Sequence, residues 1–250
     1  MASGLNLPDH LGCLRLTHGI WDDFGHYVTG DTWSTVASNS GTIADADVVG
    51  GRITLAASDC TAGDNDETYL KSTQEIFLFA DNKPLEWGCR LQYAEANTDD
   101  ANIWAGLMSA IAADCMVDNG AGPKTSGSHF GFWKGDGDTN WHAHHSLGST
   151  QESTELTAAN SKDGVAHAAG GSAFIEMYGE FIPYDTGRDL AILNFYITDA
   201  TTGGVKRLVF SEPTFDYTSA TEMNFGFGVK NGDTNGEELV LDWAYCFQKR

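Results

Sequence analysis

The sequence predicts an all-β sandwich, and three observations carry that prediction. Helical periodicity is nearly absent, because few windows keep apolar residues at i, i+3, i+4 and i+7. Short apolar runs recur instead, about a dozen of them at the spacing of sandwich strands. The 29 glycines cluster between those runs, where they punctuate turns.

Taken in order, strands are predicted over Gly51–Ala57, Thr68–Ser72, Glu75–Phe79, Leu85–Glu95, Ala101–Ala110 and His129–Lys134. They continue over Asn140–Leu147, Ser172–Ile182, Asp189–Thr198, Val205–Ser211, Glu222–Lys230 and Glu238–Phe247. Strict alternation in the last of these puts Leu239, Leu241, Trp243 and Tyr245 on one face. The run Ile192–Ile197 is apolar on both faces, as a central strand is. Asp185–Arg188 and Asp199–Gly204 read as the turns around it. Met1–Ile20 differs in character: Leu5, Leu7, Leu11, Leu14 and Leu16 are interleaved with Gly, Pro and His without a period. The expected organisation is an extended N-terminal arm over residues 1–20 and one sandwich domain over 21–250.

One local repeat stands out. Phe130-Gly131-Phe132 and Gly137-Asp138-Thr139-Asn140 match Phe225-Gly226-Phe227 and Gly232-Asp233-Thr234-Asn235 at the same spacing. Both copies read as a strand running into a turn and out again. The similarity stops there, so this is not a repeat architecture. Either the same turn chemistry was used twice, or the two turns are related surface loops at one end of the sandwich.

Composition narrows the function classes. With 35 acidic against 14 basic residues the net charge is −21, which disfavours phosphate-mediated nucleic-acid binding. No stretch approaches the ~20 apolar residues of a membrane span. Met1–His10 lacks the basic end and apolar run of a secretory leader, so folding in a reducing cytosol is expected. Cys13, Cys60, Cys89, Cys115 and Cys246 are odd in number and scattered, consistent with free thiols. Cys89 and Cys246 read as small buried hydrophobes.

Candidate chemistry is sparse. In Trp141-His142-Ala143-His144-His145, the strand period puts His142 and His144 on one face, where two imidazoles could ligate a transition metal; no third ligand is evident, and His145 points the other way. Asp64-Asn65-Asp66-Glu67, the set Asp136, Asp138 and Asn140, and the set Asn231, Asp233 and Asn235 offer oxygen ligands of the kind Ca²⁺ takes. Asp and Asn are also default turn residues, so no cofactor is expected, with one structural Ca²⁺ as the alternative. Glu176 and Glu180 share a strand face without the flanking groups of a catalytic pair, and neither a Gly-x-Ser-x-Gly elbow nor a phosphate loop occurs. No enzyme is expected. Trp133 and Trp141 flank the first repeated turn and could stack sugars, although burial in the core is the default for large aromatics.

The run Leu85-Glu86-Trp87-Gly88-Cys89-Arg90-Leu91, followed by Trp104-Ala105-Gly106-Leu107, resembles the middle strands of concanavalin-A-like (laminin-G-like) jelly rolls. Phe225-Gly226-Phe227-Gly228-Val229 with Leu239-Val240-Leu241-Asp242-Trp243 resembles their final hairpin, and Gly50–Leu55 extends the likeness to residues 20–247. The resemblance implies a jelly-roll β-sandwich of two antiparallel sheets. The Glu-x-Asp-x-x-Glu strand of the laminarinase-like branch is missing, so no catalytic residue carries over. The whole chain also resembles jelly-roll structural proteins of tailed bacteriophages. That likeness implies a virion component assembled in the host cytoplasm, a capsid decoration or cement protein bound to the major capsid protein and to copies of itself. Its expected contacts are the leucines of the arm and the turns Asp136–Asn140 and Asn231–Asn235. The alternative is a carbohydrate-binding module of a phage fibre or spike, using Trp133 and Trp141.

Overall fold

The structure, a computed structural model, describes residues 17–39, 41–45, 50–57, 65–94, 100–117, 122–171, 173–199 and 203–250. Among the described residues there are 17 strands and no helix. Leu5, Leu7, Leu11, Leu14 and Leu16 lie outside them.

Two antiparallel sheets pack face to face. The first runs β15 (Arg207–Asp216), β14 (Leu190–Thr198), β13 (Ile175–Asp185), β6 (Leu85–Ala94), β17 (Glu238–Lys249), β4 (Ile53–Ala56) and β3 (Thr42–Asp45). Its eighth strand, β1 (Thr17–Asp22), pairs with the C-terminal half of β17, end to end with β4. The boundary expected at residue 20 thus falls inside a strand of the sandwich. The second sheet runs β12 (Thr150–Glu155), β11 (His142–Leu147), β10 (His129–Lys134), β7 (Ala101–Met108), β16 (Asn224–Asn231), β5 (Glu67–Ser72) and β2 (Trp33–Ser38). A two-stranded ribbon, β8 (Met116–Val117) and β9 (Gly122–Pro123), pairs with neither sheet.

The core between the sheets is aromatic. Trp87 meets Phe130 and Phe132 edge-on from the opposite sheet, and Phe195 does the same at 4.9 and 5.5 Å. Each fully buried ring of this kind stabilises the fold by roughly 2–3 kcal/mol. Cys89 and Cys246 fill this layer as buried free thiols, and burial pushes both upward in pKa.

Two expectations are corrected. Glu75–Phe79 is not a strand: it crosses from the second sheet to the first, so its backbone pairs only at the single bridge Phe77–Met223 while Phe77 and Phe79 enter the core. The alternation assumed for β17 is broken by a bulge between Leu241 and Trp243. Leu239 and Leu241 face the core, but beyond the bulge Ala244 and Cys246 do, and Trp243, Tyr245 and Phe247 emerge on the outer face. The carboxylate of Asp242, at the bulge, is held by Arg52 and Arg90, whose guanidinium groups lie 4.6 and 4.4 Å from the Phe174 ring centre.

The repeated segments occupy equivalent places. β10 and β16 flank β7 on either side, and both copies meet it in the same register: Phe130 and Phe225 on Leu107, Gly131 and Gly226 on Gly106, Phe132 and Phe227 on Ala105. A side chain at Gly131 would strike the Ala105 carbonyl and the Trp104 ring, which accounts for glycine there.

Candidate functional site

The two outer faces of the sandwich have opposite fates. On the seven-stranded sheet, Trp133, Trp104, Gly228, Tyr69 and Val36 form one row across five strands. Residues following β7 fold back over that row: Ile111, Cys115 and Met116 pack on Trp104, Tyr69 and Trp133 and make a second small core. Lys230 pins this roof, donating from Nζ to Asp114 Oδ1 at 3.1 Å and to the Met116 carbonyl at 3.2 Å. Glu67, its neighbour across the strands, accepts from the Asp114 amide at 2.8 Å and the Tyr69 hydroxyl at 2.9 Å. This face is closed.

The same burial settles the two tryptophans proposed as sugar platforms. Trp133 is 6% exposed and Trp141 1% exposed, so neither presents a ring face to solvent. Trp133 is stacked under His142 at 4.3 Å and donates to Ser153 Oγ, while Trp141 belongs to the main core. The expectation that they stack a ligand is corrected for that reason.

The histidines of β11 do not converge. His142 sits 3.1 Å from Asp138, whereas His144 is buried between His129, 3.3 Å away, and the Ser153 hydroxyl at 2.9 Å. Desolvation holds His129 down at about 4 and His144 well below the usual range, so both are neutral at neutral pH. His145 points into the opposite layer, between Phe210 and Phe215.

The repeated turns lie against each other at one end of the sandwich. A side chain on Gly232 would collide with the Asp100 carbonyl and with Asp136. The backbone of Asn231 bonds Asp66 and Asn65, bringing the third acidic segment to the same end. Several of these polar side chains serve local backbone. Asp138 accepts from the Gly135 amide, Asp233 from Thr234, and Asn231 Oδ1 from Glu237, while Asn140 donates to Glu155. Asn235 is half-buried beside them.

The outer face of the eight-stranded sheet is different. Register places Trp21, Tyr245, Gly88, Tyr178 and Tyr196 in one row across β1, β17, β6, β13 and β14. Trp21, 58% exposed, lies nearly parallel to Trp243 at 6.3 Å and to Tyr245 at 5.9 Å. Gly88 is the floor between Tyr245 and Tyr178: a Cβ there would stand 2.7 Å from both rings. Each tyrosine hydroxyl donates to a carboxylate at 2.6 Å, Tyr245 to Glu86, Tyr178 to Glu176 and Tyr196 to Glu180. Desolvation and those anions push all three phenols upward in pKa. Lys206 caps the row, 4.5 and 4.4 Å from the ring centres of Tyr178 and Tyr196. Glu176 and Glu180 are thus acceptors in a ring-and-carboxylate lattice. Sequence reading missed this face because it depends on the β17 bulge and on β1.

No known family profile matches the chain, and no curated protein matches it in sequence. Solved structures do. A protein of unknown function from Shewanella oneidensis MR-1 superposes with TM-score 0.58 at 12% identity over 100% of this chain and 97% of its own. Peanut lectin gives 0.56 at 11% identity, covering 93% and 97%. An endo-1,3-β-glucanase from Streptomyces sioyaensis gives 0.54 at 13%, covering 94% and 97%. The fold therefore hosts both lectins and an enzyme. None of these neighbours is described as a particle component, so the virion reading rests on the sequence resemblance alone. What the likeness establishes is architecture: this chain is a jelly-roll β-sandwich of the concanavalin-A and legume-lectin type.

Proposed function

We propose that the chain binds carbohydrate across the outer face of its eight-stranded sheet. The observation that carries this reading is the row led by Trp21, whose ring is open to solvent and stacked in line with Trp243 and Tyr245. A pyranose ring has an apolar C–H face and a rim of hydroxyls. Flat aromatic side chains take the first, and carboxylates, amides and guanidinium groups take the second. Here both are interleaved: Glu86, Glu176, Glu180, Arg90 and Asn194 lie beside the rings in the same sheet. Five strands at ~4.8 Å spacing make the row roughly 19 Å long, which suits several sugar rings end to end better than one. A structural neighbour of the same architecture is named as the carbohydrate recognition domain of Emp47p, which supports the reading at the level of fold.

The test is a glycan array followed by calorimetry on the best ligand, with Trp21→Ala and Trp243→Ala. Both variants are expected to lose at least about tenfold in affinity, the scale of one stacking contact, while unfolding free energy changes by less than about 1 kcal/mol for Trp21. A wild type that binds no glycan, or a Trp21→Ala variant that binds as well as wild type, would sink the proposal. The assembly reading from the sequence uses the arm leucines and the repeated turns instead. It predicts co-sedimentation with capsid particles that is indifferent to Trp21.

A further inference from the structure

We propose that His145, Glu152 and Glu212 form a binding site for a divalent transition ion of the Zn²⁺ type, which ties the edge of one sheet to the edge of the other. The three side chains come from three strands. His145 of β11 is the direct cross-strand partner of Glu152 on β12, the outermost strand of the seven-stranded sheet. Glu212 is on β15, the outermost strand of the eight-stranded sheet. One ligand atom from each lies within 4.8 Å of the other two, a triangle that a single ion can occupy.

The second observation concerns His145 itself. Its side chain is 7% exposed, and its buried Nε2 makes no hydrogen bond, with the Glu152 carboxylate 3.6 Å away. A buried ring nitrogen without a partner is costly and calls for a ligand or water. The ring is fixed in place by Phe210 and Phe215, at 6.4 and 5.4 Å between centres. Glu212 is oriented as well: its Oε1 accepts from the amide and hydroxyl of Thr214 at 2.8 and 2.9 Å.

One imidazole and two carboxylates suit Zn²⁺ and its neighbours in the transition series, with water completing the shell. Ca²⁺ prefers six to eight oxygens and is a poorer fit. The ion would join the edge strands β12 and β15, which belong to different sheets.

The experiment uses the full chain stripped with chelator and titrated with ZnCl₂, read by calorimetry and thermal melting. Wild type is expected to take up one ion per chain. Its melting point should rise by about 5 °C or more at 100-fold excess over the dissociation constant. Glu152→Gln and Glu212→Gln keep shape and fold, and each should weaken uptake by at least about tenfold. Absence of stoichiometric uptake by wild type overturns the proposal. So does equal affinity in the Glu152→Gln/Glu212→Gln double variant, which would put the ion on His129, His142 and His144 or elsewhere.

Discussion

Replacing Lys230 with methionine tests why one outer face of the sandwich is closed. The ammonium group is fully buried, 3.1 Å from Asp114 and 3.9 Å from Glu67, itself almost fully buried. At an effective dielectric constant of ~20, a pair 3.9 Å apart attracts by about 4 kcal/mol. Removing one partner leaves the other charge buried, and such changes cost about 3–5 kcal/mol. Since whole domains are stable by only about 5–15 kcal/mol, Lys230→Met should remove a large part of the margin while leaving a folded protein.

Urea unfolding followed by tryptophan fluorescence measures the loss, because Trp104 and Trp133 lie under the roof that Lys230 holds. The loss also has a pH signature. Burial raises the Glu67 carboxyl above its usual range despite Lys230, and without Lys230 it rises further. Protonation removes the stranded charge, so the deficit of the variant is greatest at neutral pH and shrinks as pH falls through the raised Glu67 pKa. Adding Glu67→Gln should recover at least half of the loss at pH 7. A deficit under about 1 kcal/mol, a deficit that does not shrink on acidification, or no recovery in the double variant refutes the reasoning.

Two further outcomes follow from the same structure. Asp242→Ala strips Arg52 and Arg90 of their shared carboxylate at the β17 bulge and should cost about 1–2 kcal/mol by thermal melting. It should also weaken glycan binding, because Trp243 and Tyr245 owe their outward direction to that bulge; unchanged binding would detach the bulge from the site. His167 is buried between Asp163, 3.2 Å away, and Asp199, 3.0 Å away; burial lowers its pKa, but the two aspartates outweigh it and the net shift is upward. A raised folded-state pKa gives stability that is complete below the unfolded value of about 6.5 and disappears as pH rises through the folded one. His167→Gln should therefore cost more at pH 6 than at pH 9 in urea titrations, and an equal cost at both would contradict the charged pairing.

Central strands were legible in the sequence, and of the edge strands only β15 was, through its apolar run Leu208–Phe210. β6, β7, β10, β14 and β16 have neighbours on both sides and bury dense apolar runs, so their composition announces them. β2, β3 and β12 each lie at a sheet edge, and β1 pairs with β17 alone. Thr150-Gln151-Glu152-Ser153-Thr154-Glu155 contains no apolar residue at all, because an edge strand faces water and is kept polar. Of the proposed metal triangle, Glu152 lies on that polar edge strand and Glu212 on the outermost strand of the other sheet, so the sequence around His145, read as pointing away from His142 and His144, offered it no partner.

The sequence by itself determined the class of fold, the thiols of Cys89 and Cys246 as core residues, and the match between two Phe-Gly-Phe strands, whose equivalent places beside β7 are set by the sheet. Each of these is written in local pattern: period, apolar density, and a motif repeated at fixed spacing. Tertiary structure alone decided which surface is open. One extra residue at the bulge turns Trp243 and Tyr245 from the core to the solvent, since every residue beyond it changes face. The chain following β7 covers Trp104 and Trp133, and β1 delivers Trp21 to a row made by four other strands. These are contacts between segments far apart in the chain, and no local pattern of residues encodes them.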